Sequence, residues 1–366
     1  MRLGVELETQ GGEFITDLGD YVRISVSRSL NNIGEGTVTL PNRFTPDFFQ
    51  EFMRLRITHP ESGELVGGTR WHIKGDTYDG DSDTLGLIVV DDLGLLAGEI
   101  VAYPADSVYA DKTLENGNNG PIDDLMRQYV RENGGPSTVE AYNKIPTLTV
   151  EPDRSVAGVS SKEAAYQSLV DVLREFAEES KGAGLPLYFG LIHNVVTNTY
   201  QFVVRPILWG VDRSESGAVF SQSAGKLISL TVTRDYRDKA DFIYVGGDGN
   251  GLDRIIGTAS RVGLLKRSPF DVALKFVDAG DTVEDAVMTA EGYAALERGR
   301  VRRVLTAGVA DTPAFRFGTD YFFGDQVLVE VASVRYKAII DAFSLSAEND
   351  TVTPDIRLAG EEPWSL

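Results

Sequence analysis

The chain has 366 residues, 42% hydrophobic and 25% charged, which places it among globular proteins and makes it too long for one ordinary core. Its formal net charge of −20 excludes a direct phosphate binder, which needs clustered Lys and Arg, and the absence of cysteine excludes disulfides and thiolate metal sites. The opening MRLGVELETQGGEF lacks a basic n-region and an apolar core, and no apolar run approaches about 18 residues, so neither a secretory signal nor a membrane span is expected and folding in a cytoplasm is.

The first hundred residues read as β. Val22, Ile24 and Val26 alternate with Arg23, Ser25 and Ser27, the period of a half-buried strand, and Asn31, Asn32 and Gly34 turn the chain into a second strand through Val38 and Leu40. Met53 to Thr58, Arg70 to Ile73 and Leu85 to Val90 continue the pattern, as in a small antiparallel barrel or sandwich. A helix opens at Pro121, with Ile122, Leu125, Met126, Tyr129 and Val130 on one face and Gly134 as its cap. A second is expected from Ser160, capped by Glu163 and burying Tyr166, Leu169, Val170, Leu173, Phe176 and Ala177. Leu187–Ile192 and Tyr200–Arg205 read as a hairpin packed on that helix.

Ile228, Leu230 and Val232 alternate again, and Phe242–Val245 is a short strand. A helix from about Thr282 to Gly299 carries Val283, Val287, Ala290 and Ala294 on one face, with an Asp281 to Glu284 capping pattern. After Pro313 the chain returns to β at Gln326–Val331, Tyr336–Ser346 and Asp355–Leu358. The order of features from Phe48-Phe49 through Val90 recurs from Tyr321-Phe322-Phe323 through Leu358, with the turn Asp79-Gly80-Asp81 matched by Glu348-Asn349-Asp350. The echo reads either as two copies of one β module separated by an insertion or as chance likeness between two meanders.

Little in the chain has the spacing of a reactive site. His59, His72 and His193 lie on separate segments, where a metal centre wants ligands converging at short spacing. Asp79-Gly80-Asp81-Ser82-Asp83 begins like a calcium loop, but Thr84 stands where that loop needs Gly and Val90 where it needs a bidentate Glu, so it reads as a turn. Gly246-Gly247-Asp248-Gly249-Asn250-Gly251 has no following Gly-Lys-Ser/Thr and is a single copy, so it also reads as a turn rather than a phosphate cradle or a calcium repeat. The 55 acidic residues form no local pair that marks a glycosidase, and there is no Gly-x-Ser-x-Gly elbow. No catalytic, metal or cofactor-binding residue is assigned.

Several short segments, in order, resemble the hub family of long-tailed phages, which is related to the N-terminal hub portion of tail-associated lysin-type proteins and to contractile-tail baseplate hubs. They are Ser29 to Pro41, Asp91-Asp92-Leu93 to Pro104, Val211-Asp-Arg-Ser, Val219-Phe-Ser, Ala240-Asp-Phe-Ile-Tyr-Val-Gly-Gly-Asp-Gly, Arg254-Ile-Ile and Phe323-Gly-Asp-Gln-Val-Leu-Val. The resemblance implies an α+β, mainly β chain with two tube-protein-like β-barrels and α/β insertions. It divides into a first barrel (1–100), an inserted α+β domain (101–222), the start of a second barrel with a helix-containing insertion (223–310), and strands closing the second barrel (311–366). It further implies a non-enzymatic homotrimer whose six modules make a pseudo-hexameric ring at the tail tip. That ring would close the tail tube, adapt six-fold to three-fold symmetry and line a DNA exit channel whose acidic wall lets DNA slide.

Implied partners are the tail tube or distal tail protein, a tip or fibre protein and the tape measure protein, with DNA only in transit, in a virion assembled in a bacterial cytoplasm. Because the chain stops at Leu366 soon after its last hairpin, wall-degrading activity is expected to come from another protein. Two other classes remain: a cell-wall hydrolase, marked by a cleft of convergent carboxylates, and a carbohydrate- or receptor-binding module, marked by exposed aromatics around Tyr321 to Phe323.

Overall fold

The computed structural model describes residues 2–44, 48–102, 120–139, 141–160, 164, 166–182, 184–215, 219–221, 225–261, 272–280, 282–301, 303–309, 315–331, 334–348 and 351–360. Pro104, the expected capping residues Glu163 and Asp281, Pro313, the turn residues Asn349 and Asp350, and Leu366 lie outside them.

The chain opens with β1 (Gly4–Glu8), β2 (Phe14–Asp17), β3 (Arg23–Ser29), β4 (Glu35–Pro41), β5 (Arg54–Thr58), β6 (Trp71–Asp79) and β7 (Thr84–Asp91). Alternation drives them: in β3, Ile24, Val26 and Arg28 are buried while Arg23, Ser25 and Ser27 face solvent. Next come β8 (Gly120–Pro121), α1 (Ile122–Asn133), β9 (Leu148–Val150), β10 (Val159–Ser160), α2 (Leu169–Gly182), β11 (Leu187–Asn194) and β12 (Thr199–Pro206). The helices α1 and α2 bury their apolar faces on the sheet β11-β12-β9, in a core that holds Met126, Tyr129, Leu173, Phe176, Phe189 and Phe202.

After β13 (Val219–Ser221) and β14 (Leu227–Arg234), the strands β15 (Phe242–Gly246), β16 (Ile256–Ser260) and β17 (Leu274–Asp278) form a separate small sheet. It is covered by α3 (Asp285–Arg298), around Ile243, Val245, Met288 and Leu296. The chain then runs through β18 (Arg303–Val309), β19 (Gln326–Val331), β20 (Val334–Glu348) and β21 (Thr351–Gly360).

The fold is mainly β and is dominated by one 13-stranded sheet that takes strands from both ends of the chain. Its hydrogen-bonded path runs β14-β18-β21-β20-β3-β4-β7-β6-β5-β1-β2, with β19 and β13 attached at β20, and among the described residues it does not return on itself. A single buried core runs beneath it from Leu3 to Leu358.

Two helices differ from expectation. Ser160 does not cap α2: it pairs with Gly120 in a short β bridge, and α2 begins after Ser168, whose carbonyl accepts from Val172 N–H and whose hydroxyl accepts from Asp171 N–H. Tyr166 precedes the helix with φ 56° and is 77% exposed instead of joining the buried face. In α3, Val283 lies before the first turn and is exposed, while Met288, Gly292, Ala294, Ala295 and Leu296 carry the packing.

Candidate assembly interface

The two halves of the sheet share one plan. The strand order β3-β4-β7-β6-β5 recurs as β14-β18-β21-β20-β19, every neighbour antiparallel. The fourth strand is bulged at the same place in each set, between Ile73 and Gly75 in β6 and between Ile340 and Ala342 in β20. Counting along the ladders from these bulges superposes Ile24-Ser25-Val26-Ser27-Arg28 on Leu230-Thr231-Val232-Thr233-Arg234. Each residue meets its own chemical type, although neither set was aligned by sequence.

The sets are joined by β3 pairing with the distal half of β20, Phe343 opposite Arg28 and Leu345 opposite Val26. On the core side Arg28 closes the joint. Its Nε donates to Asp91 at 2.8 Å, its Nη1 donates to the Gly67 carbonyl at 2.7 Å, and its guanidinium lies 5.0 Å from the Phe323 ring centroid. Gly67 sits at φ 71°, and a Cβ there would come within 2.6 Å of Phe343, so glycine is needed both for the turn and for the approach. Burial pushes the Asp91 carboxyl up despite Arg28.

On the solvent side the joint is a field of hydroxyls. Across four strands run the rows Thr37-Ser25-Ser346-Thr353 and Glu35-Ser27-Ser344-Asp355, followed by Thr39-Arg23-Glu348-Thr351. Four of these twelve positions are charged, three of them acidic, and the Arg23–Glu348 pairing sets opposite signs across from each other.

The structure brings two of the three histidines together and leaves the third apart. His59 is buried against Phe317 and Gly318, and burial lowers its pKa to about 4. His72 Nε2 lies 2.9 Å from Asp92, both buried. Burial alone would raise Asp92, but hydrogen bonds from His72 and the Arg70 amide outweigh it and hold the carboxyl low. His193, remote in sequence, meets the same cluster: Arg70 donates to its Nδ1 at 2.6 Å, and the Tyr200 ring packs at a tilt against both imidazoles. Burial and the two cations Arg70 and Arg54 lower the His193 pKa against the opposing pull of Asn198 and Asp92. The cluster pins the β11–β12 hairpin to β5 and β6. Asn31, a turn residue in the sequence, does the same for the other end of the hairpin, donating to the Leu187 carbonyl and accepting from Phe189 N–H. Among the described residues no group of three or more His, Cys, Asp or Glu could hold a metal ion.

The two glycine- and aspartate-rich runs are turns. Asp79 accepts from Asp81 N–H and the Ser82 hydroxyl, and the Ser82 bond leads in lowering its pKa. Asp248 accepts from Gly249 N–H, and Arg254 Nε donates to the Gly247 carbonyl. The aromatic run is core rather than binding surface: Tyr321 and Phe323 are buried with Phe220, Phe315 and Phe343. A groove of about 590 Å³ between α2 and α3 does carry carboxylates, among them Glu178 and Glu291. Both lie about 4 Å from Arg298 and are 50% and 37% exposed, where a general acid needs burial to hold its proton near neutral pH.

This is the architecture of phage tail proteins. The 43 kDa tail protein of prophage MuSo2 from Shewanella oneidensis is 12% identical, with a TM-score of 0.57 over 98% of both chains. The tail protein from Neisseria meningitidis MC58 is 11% identical, with a TM-score of 0.57 over 98% of this chain and 97% of that one. Prophage tail protein gp18 from Listeria monocytogenes EGD-e is 10% identical, with a TM-score of 0.54 over 98% and 94%. The chain belongs to the family of siphovirus ReqiPepy6 Gp37-like proteins, whose model matches residues 9–358. No curated protein sequence matches it.

Proposed function

We propose that the chain is the structural hub of a phage tail tip or baseplate. Three copies would form a pseudo-hexameric ring that closes the tail tube, adapts six-fold to three-fold symmetry and surrounds the DNA exit channel. The observation that carries this reading is the repeated five-stranded order within one chain: two like modules in each of three copies make six. The modules correspond to two tube-like barrels. The units are a first barrel at 1–100, an α+β insertion at 101–222, a second barrel start with its helix-containing insertion at 223–310, and closing strands at 311–366.

The hydroxyl rows supply the channel wall in this reading. Ser and Thr offer DNA no fixed cation to grip, Arg23 stands opposite the acidic Glu348, and Glu35 and Asp355 add mild repulsion. Partners are the tail tube or distal tail protein on one side and a tip or fibre protein on the other, with the tape measure protein and then DNA passing through. The hub carries no catalytic group, and the virion tail is its location, after assembly in the bacterial cytoplasm. Mass measurement of the native protein, followed by imaging of purified tail tips, tests the proposal. A three-subunit ring at the tube end is expected, and a monomer that persists at high concentration refutes it. Zymograms on host cell walls should show no lysis.

A further inference from the structure

The joint between the two modules is used once within the chain and left open once. Within the chain, the first strand of one module (β3) pairs with the fourth strand of the other (β20) just beyond its bulge. The equivalent strands of the opposite combination are β14 and β6. Among the described residues, β14 is the end of the sheet path, and β6 pairs with β5 only at Trp71 and His72, leaving the stretch after its bulge with β7 as its sole strand neighbour.

We propose that β14 of one copy pairs antiparallel with the distal half of β6 of the next copy, in the register that the β3–β20 joint dictates. That register sets Thr231 opposite Asp79, Val232 opposite Tyr78, Thr233 opposite Thr77 and Arg234 opposite Asp76. It follows by carrying the pairs Ser25–Ser346, Val26–Leu345, Ser27–Ser344 and Arg28–Phe343 across the repeat. The inference rests on the ring reading and names the strands that hold the ring together.

The chemistry of the two edges agrees with the register, which was obtained without reference to it. Val232 and Tyr78 fall on the core side of the sheet, as Val26 and Leu345 do, yet they are 39% and 55% exposed in a single copy while Val26 and Leu345 are buried. Thr233 and Thr77 fall on the hydroxyl side, as Ser27 and Ser344 do. A one-residue slip would set Tyr78 against the hydroxyl face and is disfavoured for that reason. The joint is head-to-tail, so each copy offers one β14 and one β6 and is used twice. Pairing also removes two open edges that would otherwise invite aggregation.

The chain has no cysteine, so cross-linking reads the register directly. Two double variants are made, Tyr78→Cys with Val232→Cys and Thr77→Cys with Thr233→Cys, because a directly opposed pair lies within disulfide reach in an antiparallel ladder. Mild oxidation of the assembled protein should give covalent dimers and trimers and nothing larger. Mass spectrometry of mixed light and heavy isotope-labelled chains should place the link between copies. A third variant, Phe14→Cys with Val232→Cys, tests closure onto the far end of the path at β2 and should stay unlinked. Hydrogen exchange on the unmodified protein is the second readout: amides of 76–79 and 231–234 should slow by at least about a hundredfold between dissociated and assembled forms.

Trimers that assemble without either in-register link or protection, or that link through Phe14, overturn this joint and leave the ring reading standing. A protein that never assembles overturns both.

Discussion

At the scale of single residues, Arg28 ties the strands of the first module together beside the joint and reaches the Phe323 ring across it. It is buried, and its charge is answered by Asp91 and the Gly67 carbonyl. Removing one partner of a buried pair leaves the other without compensation, which typically costs about 3–5 kcal/mol. Arg28→Met should therefore lower unfolding free energy by about 3 kcal/mol in urea titrations, and adding Asp91→Leu should recover most of it. A single-variant loss below about 1 kcal/mol would show that the pair adds little to the first module. His59 predicts a pH dependence. Its folded pKa of about 4 lies below the ordinary value of 6.5, so between these values the unfolded chain binds the extra proton. Stability should be full above about pH 6.5, fall by up to about 3 kcal/mol as pH drops toward 4, and level off below. His59→Leu should flatten that part of the stability–pH curve, which urea titrations at stepped pH will show.

At the scale of elements, local pattern and long-range pairing had different visibility. The strands β3, β4, β7 and β20 alternate so regularly that their register against a core is written in the residues, and α1 shows its Pro121 start and Gly134 end. The echo seen from Phe48 and Tyr321 onward is real in strand order, yet its clearest five residues, Ile24–Arg28 and Leu230–Arg234, are separated by insertions of unlike length and emerge only from hydrogen-bond register. For the same reason the meeting of His72 with His193, and of Asn31 with Leu187, could not be read from spacing. The start of α2 was hidden by a physical coincidence: Ser160 and Glu163 imitate a capping box, while Ser168 three residues before Asp171 does the work. Ser168→Ala should cost about 1 kcal/mol and raise exchange at the Asp171 amide. Ser160→Ala should leave that amide unchanged, and the reverse result would restore the longer helix.

At the scale of the whole molecule, the sheet buries one face in the core and presents the hydroxyl rows on the other, the face that the proposed hub would turn to its channel. The rows through Ser25, Ser27, Ser344 and Ser346 would repeat around a closed ring, alternating with the Thr77 and Thr233 positions of the joints between copies. As a channel wall it would work by offering few cations: a sliding polyanion would meet hydroxyls whose hydrogen bonds exchange easily with water and carboxylates that repel it, whereas a ring of guanidinium groups would release counterions and hold it. Ser27→Arg with Ser344→Arg adds six cations to three copies at exposed positions, where stability should change by no more than about 0.5 kcal/mol per site. Virions carrying it should assemble normally but release DNA at least about tenfold more slowly at low salt, with the rate restored as salt is raised. The control of opposite charge, Ser27→Asp with Ser344→Asp, should release at the ordinary rate. Release kinetics from triggered particles at two ionic strengths decide it: equal rates for the Arg and Asp variants would place the hydroxyl face away from the DNA path.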